Sequence, residues 1–308
     1  MAAKHVLRPT TPQQALDLAT NIAGSSARRV DPPVRVSFVR DSEGKGDAPL
    51  ARLVATGGRG GGVAIKLYLA LLWRCSAPPY DTAVAARLWA ALLGLPDPNH
   101  RGARRVTDAL HALEVQGLIR LTNKPGEPSV IQLREESGRA EYSLPSDAYV
   151  KEKDPVRRAQ HTYFKIPVAL WTEGHIQAMS APALAMLLVC LANEGATGKQ
   201  NWWATTVFPA QYGLSSATRA RGTAELEERG LLQVTKQLVP ESPALAKSFG
   251  RERVRNLYTL RRAARFPSPT KTSTKLTPLR SAKRPVKPRP VKRRGKATGQ
   301  QPRQSGEA

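Results

Sequence analysis

One pattern of residues occurs twice in this chain, about 113 residues apart, and no other feature constrains the fold as strongly. The first copy opens with the apolar stretch Leu69-Ala70-Leu71-Leu72-Trp73-Arg74-Cys75, the second with Leu184-Ala185-Met186-Leu187-Leu188-Val189-Cys190. A Gly-Leu pair follows in each, Gly94-Leu95 and Gly213-Leu214. Each copy then closes on Leu-Glu-x-x-Gly-Leu, at Leu113 to Leu118 and at Leu226 to Leu231. Glycine after an apolar periodic segment is a helix stop, so both copies spell helix, helix, helix and then an extended segment. Their common order implies a duplicated unit.

In the first copy apolar residues recur at helical spacing over 63–75, and Pro78-Pro79 forbids continuation. Asp81 with Thr82 has the chemistry of a helix N-cap, which predicts a second helix from there to about Leu93. Residues 96–102 form a turn. A third helix, 103–116, buries Val106, Ala109, Leu110 and Leu113 and leaves Arg104, Arg105, Asp108 and His111 on another face. Two strands, 118–122 and 129–133, flank a turn rich in Gly and Pro. In the second copy Ser180 and Pro182 start a helix, residues 202–212 hold a short one, and Ser215 caps a third. Strands are expected at 231–238 and 253–260. The cysteines, Cys75 and Cys190, read as equivalent core positions of the two opening helices.

The Gly-Leu or Gly-Leu-Ser turn, the long third helix and the closing strand-turn-strand resemble the winged helix-turn-helix DNA-binding superfamily, over roughly 63–133 and 163–260. The fold class implied is mainly α with small β-hairpin wings, as two tandem winged-helix domains plus a disordered basic C-terminal tail. The domains expected are 63–133 and 163–266, with a partly ordered N-terminal extension at 1–62 that carries a helix over 12–23 and a strand over 34–39. Residues 134–162 read as a polar linker and 267–308 as the tail. In that superfamily the third helix lies in the major groove and the wing touches the backbone. The first copy departs from the pattern by inserting residues 96–101 in its turn.

Charge points the same way. Against 24 acidic residues stand 48 Lys and Arg, a formal net charge of +24, which calls for a polyanionic partner. Residues 267–308 hold twelve Lys and Arg, one Glu and seven Pro without an aromatic, too polar to bury a core. Arginine at the start of each third helix suits bidentate contact with guanine and phosphate. The DNA-binding candidates are Arg101, Arg104, Arg105, Asp108 and His111 in the first copy, with Lys124 in its wing. In the second they are Ser215, Ser216, Thr218, Arg219 and Arg221, with wing residues Lys236, Lys247, Arg251 and Arg253. Arg219 aligns with Val106 of the first copy and therefore leans toward the core; Thr218 and Arg221 are the better base readers. The five tryptophans read as core residues rather than base-stacking platforms.

Enzyme signatures fail. The glycine-rich run before Val63-Ala64-Ile65-Lys66 and the Gly198-Lys199-Gln200 triplet both lack the Gly-Lys-Ser/Thr ending of a phosphate loop, and no spaced acidic or histidine cluster suggests metal chemistry. No enzymatic activity, cofactor or metal is expected. The longest apolar run, 183–192, is too short to span a bilayer, and sparse cysteine fits a reducing cytoplasm, with nucleoid association implied by the charge. The expected partner is double-stranded DNA, with host replication or transcription proteins beside it and no membrane. Two reading heads without a sensor domain resemble plasmid and mobile-element replication initiators. A transcriptional regulator is the first alternative, and a tail-driven nucleoid-associated or RNA-binding protein the second.

Overall fold

A computed structural model describes residues 11–25, 31–41, 47–56, 60–123, 125–194, 200–238, 254–261 and 264. Helix α1 (Gln13–Ser25) precedes strand β1 (Pro33–Arg35), which turns at once into a 3-10 segment, Val36–Phe38. The strand expected over 34–39 is thus cut to its first residues. Helix α2 (Pro49–Ala55) begins on a proline, whose fixed φ suits the first turn. The first module then runs as helix α3 (Gly61–Arg74), strand β2 (Asp81–Thr82), helices α4 (Ala86–Leu92) and α5 (Arg101–Val115), and strands β3 (Ile119–Thr122) and β4 (Val130–Leu133). Its antiparallel sheet has the order β2-β4-β3.

Asp81 and Thr82 correct the sequence reading. They pair with Gln132 and Ile131 of β4 instead of capping a helix, and α4 starts at Ala86. A two-residue strand at a sheet edge has no periodicity to betray it.

Between the modules lie the short helices α6 (Pro145–Lys151) and α7 (Pro155–Gln160), strand β5 (Tyr163–Lys165), paired antiparallel with β1, and the single-turn helices α8 (Ala169–Thr172) and α9 (His175–Ala178). The second module repeats the order of the first: helix α10 (Ala181–Glu194), helices α11 (Val207–Tyr212) and α12 (Ser216–Glu228), and the hairpin of β6 (Leu232–Leu238) with β7 (Val254–Leu260). Asn201 forms an antiparallel bridge to Tyr258 of β7, the place β2 takes beside β4. About half of the described residues are thus helical, beside small antiparallel sheets. Among the described residues no helix is long and apolar enough to cross a membrane.

The glycines that punctuate the repeat share one conformation. Gly94 and Gly213 follow α4 and α11, Gly117 and Gly230 follow α5 and α12, and all four have φ between 65° and 71°. Only glycine adopts that left-handed cap without strain. The opening apolar stretch carries no such mark. Cys75 comes directly after the last residue of α3, whereas Cys190 lies inside α10, four residues before its end. The two cysteines are thus not equivalent, although both are buried and free, with burial pushing each thiol up to about 12.

Eleven of the fourteen residues of α3 are buried, as are nine of the fourteen of α10. A helix apolar all round must be covered all round. Each is covered by the third helix of its own module and by the other, since α3 packs on α5 and on α10, and α10 on α12. Trp73 at the end of α3 stacks on Trp171 of α8, ring centroids 5.8 Å apart. One continuous apolar cluster runs from Ala19 to Ala264.

The stretch read as a linker is part of this assembly. Glu136 is fully buried and its carboxylate accepts from the Arg35 guanidinium at 2.5 Å and from the Arg35 backbone N–H at 3.2 Å. Arg35 Nη2 also donates to the carbonyl and hydroxyl of Ser143, both at 2.9 Å. Burial raises the Glu136 pKa against the lowering effect of Arg35. Arg35 Nε also lies 3.4 Å from a Glu135 carboxylate oxygen, so losing Glu136 leaves the guanidinium partly paired and costs up to the full value of a broken buried pair, about 3–5 kcal/mol. Glu136→Ala is expected to lower unfolding stability by that order in denaturant titration, and an unchanged midpoint contradicts the arrangement.

Lys66, on α3, donates from Nζ to the carbonyl of Gln177 at 2.6 Å. Burial, above all, lowers its pKa from 10.5 to about 8, with Glu225 opposing and Arg105 and Arg229 assisting. The unfolded chain holds this proton to higher pH than the native one, so stability rises with pH across the interval from about 8 to 10.5. Measured against Lys66→Met, the wild type should gain stability over that interval. A pH-independent difference between the two counts against the burial.

Candidate nucleic-acid interface

Helix α5 turns Val106, Ala109, Leu110 and Leu113 inward, as its spacing requires. Arg101, Arg104, Asp108 and His111 are exposed on its outer face, with Thr107 between them, and Arg105 is half-buried at the flank. The inserted segment that breaks the repeat holds the start of this helix: Asp97 accepts from the Gly102 backbone N–H with its carbonyl at 2.8 Å and from that of Arg101 with its carboxylate at 3.3 Å. The insertion thus supplies a cap where the second copy uses Ser215.

Helix α12 is built differently. Ser215 Oγ accepts from the Thr218 N–H at 3.1 Å, the cap the sequence predicts, and Thr218 Oγ1 lies 3.0 Å from it. Both are therefore tied to the helix start. Gly222 faces α10 so closely that a Cβ there would lie 2.2 Å from the Pro182 carbonyl, so no other residue fits. Glu225 accepts from the Ser180 N–H at 3.1 Å, from its hydroxyl, and from Arg229 at 2.9 Å. What α12 exposes is Ser216, Ala217, Ala220, Arg221, Ala224 and Glu228.

Arg219 is a correction to the candidate set. Its guanidinium is not presented outward with Arg221: Nη2 and Nε donate to the Tyr258 hydroxyl at 2.7 and 3.1 Å. It lies 4.8 Å from the Phe208 ring centroid, 5.0 Å from Tyr258 and 5.9 Å from Trp203. Trp203 in turn donates to the Tyr212 hydroxyl at 3.1 Å, and that hydroxyl to Asn193 Oδ1 at 2.9 Å, a chain that reaches α10. Where the first module buries Val106, the second holds a cation among aromatic rings. This joins α12 to α11 and to the hairpin.

Lys236 is exposed on β6 directly opposite Asn256 of β7. Opposed residues of an antiparallel pair share a face, so Lys236 and Asn256 lie on the same side as Val234 and Tyr258, the side turned to α12. Lys124, Lys247, Arg251 and Arg253 lie outside the described residues, as does the segment 267–308.

Sequence reasoning missed Arg255 and Trp202. The guanidinium stands 4.3 Å from the centroid of the indole ring, which is 49% exposed, while Trp73, Trp89 and Trp171 are core as expected. The signal was available only as adjacency: Trp202 neighbours Asn201, whose bridge to Tyr258 brings it to β7.

The side chains of Arg101, Arg104 and Arg221 make no hydrogen bond or ion pair among the described residues. Their charges are thus available to an outside anion. Among the described residues no group of three or more His, Cys, Asp or Glu is placed to hold a metal ion. Comparison with protein-family models, with curated proteins and with solved structures finds no match to this chain.

The Arg219 cage carries its own test. Arg219→Met removes three hydrogen bonds, two to the Tyr258 hydroxyl and one to the Trp203 carbonyl, together with the ring contacts, and the expected loss is about 2–4 kcal/mol of unfolding stability. Arg219→Lys restores only part of it, because an ammonium lacks the fork that engages Tyr258. Equal stability of all three proteins in denaturant titration contradicts the assignment.

Proposed function

We propose that the chain is a site-specific double-stranded DNA-binding protein made of two winged-helix modules, each setting its third helix in a major groove. One observation carries this reading: α5 and α12 occupy the same place in two modules of the same element order, and each holds at least one guanidinium on its outer face without a partner among the described residues. Arginine in such a position forms paired hydrogen bonds with the guanine edge. Lys236 and the basic segment 267–308 supply backbone contacts, which add affinity without reading sequence.

The two third helices hang on one core, so the protein reads one extended site rather than two independent ones. This arrangement favours a role as replication initiator of a plasmid or mobile element, which must hold long repeated sites at an origin. Footprinting separates the roles: an initiator covers an array of repeats and supports replication of a linked plasmid, while a regulator covers promoter sites and alters transcription alone.

The division between reading and holding is measurable. After selection of the bound sequence, Arg104→Ala or Arg221→Ala should weaken that site by about 1–3 kcal/mol and relax base preference. Removal of residues 267–308 should weaken specific and random duplexes alike and flatten the dependence of affinity on salt. If the arginine variants weaken both duplexes equally, or if truncation abolishes all binding, the two-head reading is wrong.

A further inference from the structure

Trp202 is the tryptophan that the fold leaves outside, and alternation along the chain puts it there. Asn201 is buried at its bridge to Tyr258, and Trp203 turns back to the Tyr258 ring, centroids 5.4 Å apart. Trp202 lies between them and so points to the other side of the hairpin. Val234, Lys236, Asn256 and Tyr258 take the side turned to α12, which leaves Gln233, Thr235, Gln237 and Arg255 on the side of Trp202.

Three features of this side define what fits it. The Arg255 guanidinium lies 4.3 Å from the indole centroid and the residue is still 49% exposed, so the ring is held on one face and open on the other. Arg255 makes no hydrogen bond or ion pair among the described residues, and its charge is not offset by a carboxylate there. Gln233, Thr235 and Gln237 are exposed, and their side chains also have no partner among the described residues. They line one strand with neutral donors and acceptors.

A protein partner asks for different surroundings. A tryptophan that anchors a protein interface sits in an apolar centre sealed from water, whereas the neighbours here are amides, a hydroxyl and a cation. The exposed apolar pair of this hairpin, Leu238 and Val254, belongs to the opposite side. A duplex has no use for the ring either, because a paired base is covered above and below and shows only its edges. An unpaired base offers its whole face, and an aromatic ring beside a positive charge is the means by which proteins hold single strands.

We propose that this side of the hairpin seats an unpaired base of single-stranded DNA, stacked on the open face of Trp202, while Arg255 draws in the adjoining phosphate. The inference rests on the DNA-binding reading above, but it uses residues that neither third helix contributes. The protein then has two separate surfaces for DNA, one for paired and one for unpaired bases.

Oligo-dT and an abasic strand of equal length carry the same charge, so the basic segment 267–308 binds both and only a stacking site tells them apart. The full chain should prefer oligo-dT by about tenfold or more, and Trp202→Ala should lose that preference while it binds the selected duplex as wild type does. Trp202→Phe, which keeps a smaller ring, should retain part of the preference. Arg255→Gln should weaken oligo-dT and make its affinity less dependent on salt. A strand with 5-iodouracil in place of one thymine tests the unaltered protein: near-ultraviolet light should join it to Trp202, identified in the cross-linked peptide. If wild type binds both strands equally, if Trp202→Ala keeps the preference, or if the cross-link falls elsewhere, the stacking site is refuted and the duplex reading stands. Tighter binding of oligo-U than of oligo-dT makes the occupant RNA and overturns the assignment to DNA. Failure of the duplex reading shows separately, as a wild-type protein that shifts no duplex in a mobility assay.

Discussion

Everything in this structure is arranged around two helices that cannot face water on any side. An amphipathic helix needs one partner, and α3 and α10 need several. Full burial of one large apolar side chain contributes about 1.5–3 kcal/mol, and these helices bury Leu69, Leu71, Leu72, Trp73, Leu184, Met186, Leu187 and Leu188 among others. Their mutual contact therefore outweighs any freedom the two modules would gain by parting. The third helices follow, because α5 lies on α3 and α12 on α10. The orientation of the two outward faces is a property of the core and not of a connecting segment.

The sequence made the punctuation of the fold legible and left its fillings dark. Gly117 and Gly230 end α5 and α12 at the spacing of the repeat because a left-handed cap tolerates little else. The inward face of α5 was readable for the same reason, as its apolar residues alternate with charge. No such contrast exists along α3 and α10, where nearly every residue is apolar; a match by composition slides along the helix, which is how Cys75 and Cys190 came to look equivalent. The Arg35–Glu136 pair was invisible for another reason. Its members are 101 residues apart in the chain, Arg35 takes a polar position in an otherwise apolar stretch and Glu136 one charge among several in a polar one, and nothing local to either names its partner.

The candidate interface was legible to the same degree. Arg101, Arg104 and Arg221 could be placed outward from helix periodicity alone. Arg219 was read toward the core from its alignment with Val106, but the aromatic cage could not be read, since Trp203, Phe208 and Tyr258 arrive from three different elements. Such a site has a residue code only in three dimensions. The modules also differ in how they present charge: α5 offers a cationic face with an acid and a histidine, whereas α12 offers small residues around one arginine.

The shared core has a consequence for how the molecule can change over time. Residues on the outward faces of α5 and α12 touch nothing that holds the protein together, so they are free to drift independently of each other. A whole module cannot be exchanged for a relative's in the same way. Cutting between them would bare the flanks of Trp73 and Trp171, and a transplanted half would have to bring a matching surface with it. Variation is thus channelled into the side chains of two helices while their frame is inherited as a single piece.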